Sequence, residues 1–144
     1  MLPRRLGRII ALKSLYLFDI CADFDLALKY IKNDNKLNEK VVEFAEYLVK
    51  GTINNKNIID KLISEHSKNW VLDRMPSVDR NILRLATFEL LKMEETPISV
   101  IINEAIEIAK LYSGIESGKF VNGVLDKIKT IRNKNQKENG SERN

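Results

Sequence analysis

Apolar residues recur at helical spacing along nearly the whole chain, and the alternation typical of a half-buried strand is almost absent. Pro3 suits the first turn of a first helix, and Asp23 or Asp25 can cap a second. Ser77 and Ser99 are candidate caps of a fifth and a sixth helix. The pattern predicts about seven helices: 4–21, a short one ending at 32, 38–53, one ending near 68, 78–92, one from Ser99 to a glycine cap at Gly114, and one beginning near Ser117.

The spacing therefore predicts an all-α fold of two small helical subdomains without a sheet. Asparagines near position 55 and the irregular segment 70–76 separate the two halves. Trp70 is interpreted as a core anchor for this connection. The polar composition of the C-terminus predicts a disordered tail. The expected divisions are a single domain over 1–131, with halves at about 1–69 and 70–131, and a tail over 132–144.

Composition excludes several classes of protein. Hydrophobic residues make up 44% and charged residues 31% of the 144-residue chain, which is typical of a soluble globular protein. No apolar run approaches the roughly 18 residues of a membrane span, and the N-terminus lacks a secretory signal pattern. One cysteine, Cys21, and one histidine, His66, cannot form an internal disulfide or a four-ligand zinc site. We therefore expect a cytoplasmic protein.

Motifs that indicate catalysis are missing from the sequence. It contains no phosphate-binding GxxxxGK[ST] loop, no GxGxxG after a strand, no HExxH and no GxSxG. The adjacent carboxylates Glu94 and Glu95 lie in a predicted turn, as solvated surface residues do. The sequence thus predicts a protein that is not an enzyme and that needs no cofactor or metal.

Positive charge is concentrated at the two ends of the chain. Residues 1–13 carry four basic side chains and no acidic one, although the net charge of the whole chain is only +4. On a helix, Arg4, Arg5 and Arg8 would share one solvent-facing side and could contact phosphates. The alternative is a solvated basic helix start, although cations at this end of a helix are unfavourable. The pattern favours an anionic partner such as a nucleic acid.

The segment GKFVNGVLDK at 118–127 is a second candidate site. Phe120 lies at the edge of the predicted buried stripe, with Lys119 and Asn122 further toward solvent. An aromatic ring beside a lysine and an amide could stack on an RNA base. The alternative is that Phe120 only widens the core. The stripe itself is complete without that ring: it consists of Val121, Val124, Leu125 and Ile128.

Charged residues within the most apolar helices are interpreted as structural. Buried or partly buried ion pairs between helices are the expected role of Arg80, Arg84, Glu89 and Glu104. We expect Arg84 and Glu104 in particular to pair across the fifth and sixth helices.

Four segments together resemble the NusB family of bacterial transcription antitermination factors. They are R-R-x-x-R followed by A-L-K-S-L-Y, then W-V-L-D-R-M-P-S-V-D-R-N-I-L-R-L-A-T-F-E-L, then P-I-S-V-I-I-N-E-A-I-E-I-A-K, and finally K-F-V-N-G-V-L-D. The two C-terminal motifs are specific. The resemblance covers nearly the whole chain and is weakest at 22–40 and in the tail.

The resemblance implies an all-helical protein of two subdomains that binds the boxA element of nascent ribosomal RNA. It further implies a heterodimer with the small-subunit ribosomal protein NusE, and action of that complex on RNA polymerase. A homodimer and a monomer are both compatible with the sequence. The RNA surface implied by the resemblance consists of Arg4, Arg5, Arg8, Tyr16, Lys119, Phe120 and Asn122, with Glu116 in the bordering loop.

Two alternatives to an RNA-binding antitermination factor share some of these sequence features. NusB-like domains also begin ribosomal RNA cytosine methyltransferases, but the chain leaves no length for a cofactor-binding domain. The other alternative is a helical protein–protein adapter without specific RNA binding. A salt titration separates it from an RNA-binding protein, because phosphate contacts weaken steeply with salt.

Overall fold

The computed structural model describes residues 2–33, 38–68 and 70–132. Within these ranges the chain forms seven α-helices, one 3₁₀ turn and no strand, which confirms the predicted all-α fold. None of the described helices is long and apolar enough to cross a membrane. The helices are α1 Pro3–Cys21, α2 Phe24–Lys32, α3 Glu39–Asn54, α4 Lys56–His66, α5 Ser77–Lys92, α6 Ile98–Ser113 and α7 Ile115–Ile128, and the 3₁₀ turn is Leu72–Arg74.

Helix α5 lies at the centre of the molecule. Every residue from 81 to 90 is buried, so this helix packs on all sides and not along one stripe. It contacts α1, α3 and α4 from the N-terminal part of the chain, and α6 and α7 from the C-terminal part. The core is therefore shared by both halves of the sequence.

Two glycines allow helices to approach closely. A β-carbon at Gly7 in α1 would lie 2.6 Å from the Phe44 ring of α3, and one at Gly51 in α3 would lie 2.1 Å from the Phe88 ring of α5. Any larger residue at either position would clash with the phenylalanine ring unless that ring moved. The first of these approaches places Phe44 beside the start of α1, where the basic residues lie.

Helix ends follow the sequence signals only in part. The Asp23 side chain accepts a hydrogen bond from the Leu26 N–H, as predicted for the cap of α2. The predicted caps Ser77 and Ser99 are wrong, because Pro76 and Pro97 occupy the cap positions in extended conformation and their carbonyls accept the first helical hydrogen bonds. A proline preceding a helix can thus displace a serine as the cap.

The Arg84–Glu104 pair expected from the sequence is wrong. Arg84 is buried, and it donates to Asp60 on α4 at 2.8 Å and to Asp19 on α1 at 3.1 Å. Arg80 also binds Asp19, at 2.6 Å. The error has a simple cause: these arginines face the N-terminal helices α1 and α4, away from α6. The broader interpretation of these residues as structural ion-pair partners is confirmed.

The predicted start of the tail at position 132 is also wrong. Arg132 is buried, and its guanidinium donates to the carbonyl oxygens of Leu90, Glu89, Met93 and Thr96 at 2.6–3.0 Å. A cation suits this position because the carbonyls at the C-terminal end of α5 carry partial negative charge. The rest of the predicted tail, 133–144, lies outside the described residues.

Candidate nucleic-acid interface

The three arginines at the start of α1 occupy three different environments. Arg4 is exposed, and its guanidinium carbon lies 4.0 Å from the centroid of the Phe44 ring. Arg5 is 35% exposed in its side chain and donates two hydrogen bonds of 2.9 Å to Glu104 on α6. Arg8 is buried, with 4% of the residue exposed. The expectation that all three face solvent is therefore wrong for Arg8.

Arg8 is an internal counter-charge. Its guanidinium donates three hydrogen bonds of 2.8–3.1 Å to the carboxylate of Glu89, which is buried in α5. Burial raises the pKa of Glu89, and the Arg8 hydrogen bonds and charge oppose that rise. The sequence pattern did not predict the Arg8–Glu89 pair. The i, i+4 spacing shows which face of α1 carries Arg8, but it does not show which other helix packs against that face.

Arg5 uses only part of its hydrogen-bonding capacity within the protein. Its hydrogen bonds to Glu104 hold the pKa of that carboxyl below the ordinary value, while the partial burial of Glu104 opposes the effect. A guanidinium has five N–H donors, so the donors of Arg5 that Glu104 does not use remain free for a second acceptor. The basic start of the chain thus offers Arg4 and one side of Arg5 to an anion.

Tyr16 stands further along α1, beside a small cavity. The tyrosine is 42% exposed, and the cavity, of about 370 Å³, is also lined by Lys13, Tyr30 and Tyr112. The Lys13 ammonium lies 5.8 Å from the centroid of the Tyr112 ring on α6. A phenol group here can offer a hydroxyl and an aromatic face to a ligand.

The start of α7 presents the second group of predicted residues. Glu116, Lys119 and Asn122 are exposed, and the Lys119 ammonium lies 3.4 Å from the Glu116 carboxylate. The hydroxyl of Ser117 donates to the buried Asp79 of α5. Gly114, at φ 95°, allows the sharp turn from α6 into α7. These contacts fix the position of the first turn of α7 relative to α5.

Phe120 lies at the edge of the core, and its stacking on an RNA base stays a prediction. It is half-buried and packs against the core, and its ring also contacts the ring of Trp70, with 5.5 Å between centroids. Trp70 itself is 50% exposed, so its interpretation as a core anchor is wrong. It lies in an irregular segment, where no helical periodicity indicates which side is buried.

Contacts through α6 connect the two groups of predicted residues. Arg5 binds Glu104, and Lys13 lies beside Tyr112, so the same eight-residue step, about 12 Å on a helix, separates the paired positions on α1 and on α6. Next to the end of α6, Ser113 and Glu116 line a cavity of about 610 Å³ together with Phe120. We call the exposed side chains of α1 and α7, together with Tyr112 and Ser113 of α6, the α1–α6–α7 surface.

The α1–α6–α7 surface carries the chemistry of a nucleic-acid interface. Arg4 and Lys119 can contact phosphates, and Tyr16 and Phe120 offer aromatic rings to bases. Within the described ranges, no group of three or more His, Cys, Asp or Glu side chains is placed to hold a metal ion.

Comparison with known proteins agrees with the class of all-helical protein that the fold defines. The family model described as "NusB family" matches residues 5–130. The transcription antitermination protein NusB of Heliobacterium modesticaldum is 44% identical over 128 residues, which are 88% of this chain and 62% of that protein. The chain belongs to the NusB family.

Two solved structures share the fold. The NusB structure of T. maritima superposes with a TM-score of 0.82 and 42% identity, covering 90% of this chain and 92% of that chain. A crystal structure of the antitermination factors NusB and NusE in complex with double-stranded RNA gives a TM-score of 0.81 and 29% identity, covering 91% of this chain and 99% of that chain. The close superposition extends over nearly the whole of both chains.

Proposed function

We propose that this protein is a transcription antitermination factor that binds the boxA RNA of nascent ribosomal transcripts. It acts together with the ribosomal protein NusE on RNA polymerase, in the cytoplasm and without catalysing a reaction. One observation carries the proposal: the α1–α6–α7 surface joins exposed cations and aromatic rings on a fold shared with a NusB that binds NusE and RNA.

We propose different roles for the predicted residues, based on their exposure and their contacts within the protein. Arg4 and Lys119 contact phosphates, while Tyr16, Phe120 and Asn122 contact bases. Arg5 and Glu116 border the site, because Glu104 already engages one side of Arg5 and Glu116 is an acid. Arg8 does not touch RNA in this proposal. It supports the start of α1 through its ion pair with Glu89.

The decisive experiment compares a boxA RNA with a scrambled RNA of the same composition, with and without NusE. We expect tighter binding of the boxA sequence, a further gain with NusE, and a steep loss of affinity as salt rises. A helical protein–protein adapter would instead bind NusE and show neither a boxA preference nor a steep salt dependence. That result would contradict the proposed function.

A further inference from the structure

Trp70 and Phe120 form a ridge between two cavities. Both side chains line a cavity of about 240 Å³ on one side and the cavity of about 610 Å³ on the other. Trp70 contributes the exposed part of this ridge, since half of the residue is open to solvent while Phe120 is half-buried. We call this pair the Trp70–Phe120 ridge.

The ridge is held in place before any ligand binds. The backbone N–H of Trp70 donates to the Ser67 carbonyl at 3.2 Å, and the Ser67 hydroxyl donates to the backbone carbonyl of Trp70 at 3.5 Å, so both bonds hold the backbone at Trp70. The Trp70 ring rests on Phe120, whose own helix is fixed by the hydrogen bond from Ser117 to Asp79. An exposed tryptophan held in this way loses little conformational freedom when it binds a ligand.

Charge differs across the ridge, although Lys119 on one side and Glu116 on the other lie 3.4 Å apart. The smaller cavity is lined by His66, Lys68, Lys119 and Lys127 and by no acidic residue. The larger cavity is lined by Asp79 and Glu116 and by no basic residue. Among the described residues, neither Lys68 nor Lys127 has a carboxylate within ion-pair distance, so both ammonium groups are available to an anion.

We propose that the Trp70–Phe120 ridge stacks with one unpaired RNA base, with the adjoining phosphates in the basic cavity and the base edge toward the acidic cavity. This inference rests on the proposed function and adds a contact and an orientation to it. Single-stranded RNA suits the ridge because it brings a base and a phosphate a few ångströms apart, whereas a protein partner would need no such separation of charge.

The acidic side of the ridge gives the site a preference among bases. Carboxylates accept hydrogen bonds from exocyclic amino groups, as Asp and Glu do from cytosine. Adenine, cytosine and guanine carry such a group and uracil does not. Glu116, which lines the acidic cavity, is the acceptor through the carboxylate oxygen that Lys119 does not contact, since the exposed Lys119–Glu116 pair is weak. The stacked base is therefore one with an amino group.

The sequence contains a single tryptophan, so its fluorescence reports on the ridge directly. Titration with a single-stranded boxA RNA should change the Trp70 emission in the full-length protein. Trp70→Leu should weaken RNA binding about 5- to 150-fold, the usual range for one lost base–aromatic stack, while Trp70→Phe retains most of the affinity. Val71→Ala is the matched control, because Val71 is an exposed neighbour without a ring.

An abasic scan of the RNA identifies the stacked base. One position of the RNA should cost affinity when its base is removed from the wild-type complex, and the same removal should cost nothing further in Trp70→Leu. Uracil at that position should also weaken binding relative to a base with an amino group. Glu116→Gln should reduce this difference in affinity. Thermal melts of each variant must match the wild type within a few degrees.

Three results would overturn the inference. If Trp70→Leu binds RNA like the wild type while Arg4→Ala weakens binding, the ridge is not part of the interface but the proposed function stands. If the wild-type protein binds NusE without binding RNA, both fail. If Trp70→Leu loses NusE binding and keeps RNA binding, the ridge belongs to a protein interface.

Discussion

The start of α1 and the start of α7 invert the usual expectation about charged and apolar side chains. At the start of α1, carboxylates on α5 and α6 draw Arg8 into the core and engage half of Arg5. Near the start of α7, the Phe120 ring packs against the ring of Trp70, and half of Trp70 is exposed to solvent. The arginine cluster is thus largely structural, while the aromatic pair is accessible. The residue type alone is a poor guide to which surface contacts a ligand.

Among the variants that test this comparison, Arg8→Ala is expected to have the largest effect. Removal of the guanidinium leaves the Glu89 carboxylate buried without a counter-charge, so we expect a loss of about 3–5 kcal/mol in the free energy of unfolding. Urea titration measures it. The double variant Arg8→Met with Glu89→Leu should recover most of the loss, because an apolar pair of similar volume replaces a buried ion pair at little cost. An Arg8→Ala protein of wild-type stability would show that the pair is unimportant.

Arg132→Ala tests the other buried arginine. Four carbonyl oxygens at the end of α5 and in the following turn lose their donor, and we expect a loss of about 2–3 kcal/mol in unfolding free energy. Lys127→Ala, five residues earlier and exposed, is the control and should melt like the wild type. An unchanged melting temperature in Arg132→Ala would return position 132 to the tail.

Substitutions of Phe120 distinguish its contribution to stability from its contribution to RNA binding. Because its ring contacts both the core and Trp70, Phe120→Ala should reduce stability and also weaken RNA binding by about 1–3 kcal/mol. Phe120→Leu keeps the burial and removes the aromatic face, so it should fold well and bind poorly. Equal RNA affinities of Phe120→Leu and the wild type would refute a stacking role.

Acid should destabilise the protein through its half-buried ion pairs. Desolvation alone would raise the pKa of Asp19, but hydrogen bonds and charge from Arg80 and Arg84 outweigh it and lower the pKa. The ionised form of Asp19 is therefore more stable in the folded protein than in the unfolded chain. Its stabilisation is present above the ordinary pKa of 3.8 and is lost as pH falls through the lowered value. Asp19→Asn should flatten the decline of stability in acid, as followed by urea midpoints against pH.

The smallest effect is expected for Arg4→Ala. This arginine is exposed over Phe44, so its loss should cost at most about 1 kcal/mol of stability. It should weaken boxA and scrambled RNA by similar factors and reduce the salt slope by about one unit. Lys40→Ala, an exposed cation at the start of α3, serves as the control. An unchanged salt slope in Arg4→Ala would leave the α1 start without a phosphate contact.

Helical periodicity predicted the fold well, because the apolar spacing of each helix is a local property of the sequence. Its failures concern partners from distant parts of the chain. Nothing in the spacing around Arg8 or Arg84 identifies Glu89, Asp19 or Asp60 as the carboxylate that each one meets. Trp70 was misplaced for a related reason, since its irregular segment has no period from which burial could be inferred. Spacing and residue type indicated six of the eight predicted RNA residues, and the family resemblance added Tyr16 and Glu116. Side-chain packing then divided the set into exposed and buried members.

The ion pairs of α1 also have a consequence for synthesis of the chain. Arg5 and its partner are 99 residues apart in sequence, and Arg8 and its partner are 81 apart. Contacts between such distant residues form only after the later partner has left the ribosome. Until then Arg4, Arg5 and Arg8 are all unpaired on the nascent chain, which can attract any polyanion, including the ribosome's own RNA. Completion of α5 and α6 buries Arg8 and engages one side of Arg5, so folding itself reduces indiscriminate adhesion and leaves a weaker, more selective surface.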